Sequence, residues 1–104
     1  MNFAKMLKQA QQMQADMKRA QEEIAGKEVE GSSGGGAVVV RATGEGQLLS
    51  VKISPEAIKD GDASMLEDLV MTAANAALGA GREFSQQRLG SVTEKLSGIP
   101  GLGL

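Results

Sequence analysis

From Phe3 to Ile24 the apolar residues recur at alternating steps of three and four: Phe3, Met6, Ala10, Met13, Met17, Ala20 and Ile24. That spacing is a heptad seam, one apolar stripe along an α-helix. Lys, Arg, Gln, Asp and Glu fill most of the remaining surface, and no proline or glycine occurs before Gly26. The pattern predicts a helix that stops near Gly26, with that glycine at a left-handed C-cap. At ~1.5 Å per residue the helix is roughly 33 Å long. It is too one-sided to be stable alone, so either a partner helix or the chain's own body covers the stripe.

After Gly26 the period changes. Residues 27–33 make a short polar strand at best, and Gly34-Gly35-Gly36 makes a turn. Residues 37–43 are β-branched, with Val38 and Val40 on one side, and read as a strand. Gly44-Glu45-Gly46 connects it to a further strand over 47–53, where Leu49, Val51 and Ile53 share one face by the period of two. The expected unit is a three-stranded antiparallel meander. Ser54-Pro55 closes it and opens a short helical turn through Ile58.

Asp62 or Ser64 then caps a second long helix, with Glu67 and Asp68 in its early turns. Leu66, Leu69, Val70, Ala73, Ala74, Ala77 and Leu78 follow helical spacing in a broad stripe of mostly small residues. Gly79 and Gly81 each cost about 1 kcal/mol in a helix interior. Phe84, Arg88, Leu89, Val92 and Leu96 resume the pattern, which predicts continuation to about Ser91 and weaker helix beyond. The fold class is α+β: one domain over 1–104, with a helical arm (1–26), a sheet (27–54), a helical part (55–97) and a flexible tail (98–104).

Composition narrows the chemistry. Only Phe3 and Phe84 are aromatic, so a core of small aliphatic side chains favours a dimer over a monomer. Cysteine and histidine are both absent, which removes thiolate chemistry and leaves Ser32, Ser33 and Ser50 without a histidine base. Asp60-Gly61-Asp62 lacks the ligand spacing of a calcium loop. Gly34-Gly35-Gly36 lacks the Gly-Lys-Ser/Thr of a phosphate loop. We expect no enzyme, no metal, no cofactor and no small-molecule substrate. No apolar run approaches a membrane span and no secretory signal is evident, so the default location is the cytoplasm. The net charge of -2 is unevenly spread: residues 1–21 carry +3, residues 22–68 carry -6 and residues 69–104 carry +1. Locally basic ends suit an anionic partner.

Two stretches carry a family likeness. Lys8-Gln9-Ala10-Gln11-Gln12-Met13-Gln14, followed by Met17 and Gln21-Glu22-Glu23, resembles the first helix of the YbaB/EbfC family of bacterial nucleoid-associated proteins. Leu66-Glu67-Asp68-Leu69-Val70 with Ala73, Ala74, Asn75 and Ala77 resembles that family's last helix. Val51-Lys52-Ile53-Ser54-Pro55 and Gly98-Ile99-Pro100-Gly101-Leu102 are similar to its last strand and its tail. The resemblance implies a tweezer-like homodimer in which sheets and last helices build the body and the first helices project. It also implies non-catalytic binding of double-stranded DNA with some change in its shape, in the bacterial nucleoid. The chain departs from the family pattern at Gly79 and Gly81, where good helix formers are more usual.

Our own reading of the helix faces puts Lys5, Lys8, Gln12 and Arg19 along one line, with Gln9, Gln11 and Lys18 on its flanks and Arg82 and Arg88 on the last helix as further cations. Lysine and arginine meet phosphates, and glutamine can bond phosphate or adenine. Met6, Met13 and Met17, with Val38, Val40, Leu66, Leu69, Val70 and Ala73, are the expected packing or dimer residues. With no Tyr or Trp there is no stacking platform for single strands, so duplex is preferred. The rival function is a protein–protein adaptor that uses the heptad helix, with any DNA binding incidental.

Overall fold

The computed structural model describes residues 2–59 and 61–97. Helix α1 spans Phe3–Gly26, strands β1, β2 and β3 span Glu28–Ser33, Val38–Thr43 and Leu48–Ile53, and helices α2 and α3 span Pro55–Lys59 and Ala63–Ser97. This is the expected α+β order. The sheet is antiparallel with strand order β1-β2-β3. The positive φ angles of Gly34, Gly35 and Gly36 make the β1–β2 turn.

Several boundaries differ from the sequence expectation. Gly26 does not adopt the left-handed conformation: α1 ends through Lys27, at φ -77° and ψ 120°, whose N–H donates to the Ile24 carbonyl. The residues expected to make a polar strand at best form the six-residue β1, paired from Glu28↔Thr43 to Ser33↔Val38. Helix α3 runs unbroken past Ser91 to Ser97. Asp62 caps it by accepting a hydrogen bond from the Met65 N–H at 3.0 Å. The tail expected over 98–104 lies outside the described residues.

The core lies where the first half of α3 crosses β1 and β2. Val38, Val40 and Ala42 point from the sheet onto Ala73 and Ala77, all fully buried, with Leu66, Leu69 and Val70 packed around them. The alanines let the backbones approach closely. At Gly31 an added Cβ would lie 2.3 Å from the Ala77 nitrogen, so no larger residue fits that crossing. Ser33 Oγ donates to the Leu69 carbonyl at 2.6 Å and ties the same seam.

Strand β3 is the sheet edge that α3 leaves uncovered. A bulge at Arg41/Ala42 pairs Ala42 with Leu48, so Leu49 drops out of the alternation expected of it. Leu48, Leu49 and Val51 all remain close to half exposed.

Candidate nucleic-acid interface

Beyond the sheet, α3 changes partner. Its second half lies antiparallel to α1, and the two helices form one arm. Three contacts fix the alignment. Arg88 Nε donates to Glu23 Oε2 at 2.5 Å, Lys95 Nζ lies 3.9 Å from Asp16 Oδ2, and Val92 is buried. The heptad seam therefore rests on the chain's own last helix: Ala20 and Ile24 are buried and Met13 and Met17 half-buried. At the arm's root, Lys27 Nζ sits 5.1 Å from the centre of the half-buried Phe84 ring.

The seam loses its cover toward the N-terminus. Phe3 is 70% exposed, and Met6 and Leu7 are each 50% exposed. Met6, expected as a packing residue, thus has no covering partner among the described residues. The Asn2 side chain caps this free end by accepting from the Lys5 N–H at 3.2 Å.

On α1, at ~100° per residue, Lys5, Lys8, Gln12 and Arg19 fall within an arc of about 60°. Their side of the helix faces away from the seam, and all four are exposed. Gln9 is half-buried and turns toward Lys95, lining a groove with Gln12, Met13 and Asp16. Lys18 is exposed about 100° around the helix from the row. Arg82 stands at the root of the arm, beside Gly44, Glu45 and Gly46 of the β2–β3 turn, away from Lys5 and Lys8. The structure therefore gathers four of the expected contact residues and places the other four around them or at the root.

The charges within the arm are sorted by pairing. Asp16 accepts from Arg19 at 3.2 Å and faces Lys95, while Glu23 holds Arg88 with two hydrogen bonds. The bond from Arg88 holds the Glu23 carboxyl below the usual glutamate range, its charge and that of Arg19 adding to the effect, and the same bond raises Arg88. Among the described residues Lys5, Lys8 and Lys18 form no ion pair. Two of the three carboxylates of α1 are thus paired with cations of α3, and the lysines outside these pairs give the arm's outer half its sign. Sequence reasoning did not find Asp16, Glu23 and Lys95 in these roles. Glu23 and Arg88 stand 65 residues apart, and no local pattern links them.

Among the described residues no helix is long and apolar enough to cross a membrane, and no cluster of acidic side chains is arranged to hold a metal. The family model of the YbaB/EbfC DNA-binding family matches residues 1–96. A nucleoid-associated protein of Pelotomaculum thermopropionicum is 45% identical over 101 residues, covering 97% of this chain and 95% of the relative. One of Acetivibrio thermocellus is 46% identical over 101 residues, covering 97% and 89%. The crystal structure of an uncharacterized protein from Helicobacter pylori shares the fold with a TM-score of 0.65 at 20% identity, covering 94% of this chain and 99% of that one. With the family model matching nearly the whole chain and relatives at about 45% identity, the chain belongs to the YbaB/EbfC DNA-binding family.

Proposed function

We propose that the protein is a non-enzymatic nucleoid-associated protein of the bacterial cytoplasm. In this reading it binds double-stranded DNA as a homodimer, alters its conformation, and so contributes to nucleoid organisation and gene regulation. The observation that carries the reading is the outward row of Lys5, Lys8, Gln12 and Arg19, on a helix with no carboxylate before Asp16, which is itself paired with Arg19 and Lys95. Lysines left without counter-charge are the groups that exchange condensed cations for phosphates. Gln9 and Lys18 flank the row, Arg82 supplies positive charge at the arm's root, and Arg88 stands there paired with Glu23. The relatives named as nucleoid-associated proteins support the same assignment.

The homodimer is supported by the open edge of β3, where Leu48, Leu49 and Val51 stay exposed beside unpaired backbone. Joining two such edges sets two arms on one body, and a duplex gripped from two sides is free to bend.

Duplex titration across salt tests this. With about four phosphate contacts per dimer, log affinity falls with log salt at a slope of about -4. Charge reversal in Lys5→Glu/Lys8→Glu weakens binding by more than about tenfold at 0.15 M salt and flattens the slope. The adaptor reading draws on the acidic body, where Glu56, Asp62, Glu67 and Asp68 gather on α2 and the start of α3. A salt-independent affinity that is identical in the parent and the variant would favour it.

A further inference from the structure

The free end of α1 has two unlike sides. Phe3, Met6, Leu7 and Ala10 centre about 170° around the helix from the row of Lys5, Lys8, Gln12 and Arg19. When the basic row meets phosphates, the apolar side points away from the duplex. Helix α3 leaves it exposed: Phe3 is 70% and Met6 and Leu7 are each 50% exposed, and the cross-helix ion pair nearest this end among the described residues is Asp16–Lys95. We propose that Phe3, Met6 and Leu7 of one dimer pair with the same surface of a second dimer on DNA, making binding cooperative. The inference rests on the duplex-binding reading above.

Three features point to a second copy as the occupant. The steps Phe3, Met6, Ala10 continue the heptad seam, the spacing at which two helices interlock. The patch is also small. Three side chains bury a few hundred Å² per copy, well short of the roughly 1,200–2,000 Å² in total that a stable interface needs. Such a contact has weight only where copies are already held near one another, as on one duplex. Finally, each end carries Lys5 and Lys8, no carboxylate before Asp16, and the positive pole of the helix dipole. Two such ends repel in free solution, and phosphates bound on the opposite side remove the repulsion. The contact is therefore conditional on DNA.

The test compares a short duplex that takes one dimer with a long duplex that takes several, using the full chain and its Phe3→Ser/Leu7→Ser variant. Both residues are exposed, so the variant folds, and circular dichroism verifies it. The parent binds the long duplex about fivefold or more tighter per site than the short one; the variant loses that gain but keeps the short-duplex affinity within about twofold. Equal cooperativity in parent and variant, or none in the parent, overturns the proposal. So does a variant that loses short-duplex affinity, because the apolar side would then touch DNA itself. A parent that ignores even the short duplex sinks the DNA-binding reading along with it.

Discussion

Gly79 and Gly81 lie two residues apart in α3 and have opposite reasons to be there. A Cβ on Gly81 would lie 2.6 Å from the Thr43 carbonyl oxygen, because α3 crosses the end of β2 at that point. A Cβ on Gly79 would meet nothing within 4 Å. Alanine at Gly79 removes the helix cost without a clash, so Gly79→Ala stabilises the fold by about 0.5–1 kcal/mol. Gly81→Ala forces two backbones apart and destabilises it by about 1–3 kcal/mol. Urea unfolding of both variants measures the difference, and shifts of the same sign would contradict this account. In the sequence the two glycines read alike, as two breaks in one helix. What separates them is a carbonyl on β2, and a reading by helical spacing sees only neighbours along the helix.

Helix α3 was legible as a continuous helix to about Ser91, and only the strength of its last turns was not. The stripe from Leu66 to Leu78 announces a helix against a sheet, and the run through Phe84, Leu89 and Val92 announces a helix against something else. Their continuity to Ser97 depends on α1, which supplies Ile24, Met17 and the Glu23 carboxylate along the second half. The β3 bulge was hidden for a similar reason, since it belongs to the pairing with β2 rather than to β3 alone. The α1–α3 pairing makes a pH prediction. Because the folded-state pKa of Glu23 is lowered, its bond to Arg88 contributes stability above the unfolded glutamate value and loses it as pH falls through the folded one. Arg88→Gln is therefore slightly less stable than the parent at neutral pH, the pair being exposed, and the gap narrows in acid, as pH falls below the ordinary glutamate value. Thermal melts at neutral and acid pH check this; a gap that widens in acid would refute it.

The whole molecule is a rod. Its extents are 71 × 21 × 16 Å and its radius of gyration is 20.2 Å, against about 13 Å for a compact chain of this length. A rod with so small a core leaves apolar side chains exposed along the β3 edge. Val51→Asp places a charge there without touching the α3 seam, and it halves the solution mass measured by light scattering while leaving the helical signal unchanged. A variant that keeps the parent's mass removes β3 from the interface. The arm joins the body through the unbroken α3 and through two close approaches at its root, Ile24 against Gly44 and Gly81 against Thr43, where backbone meets backbone. An arm of 24 residues is about 36 Å long, so a 5° tilt there carries its tip by about 3 Å, nearly the rise along the duplex axis from one phosphate to the next on one strand. In the dimer proposed above, the gauge of the gap between two arms is thus set at their roots, by a crossing of backbones rather than by the row of side chains along each arm.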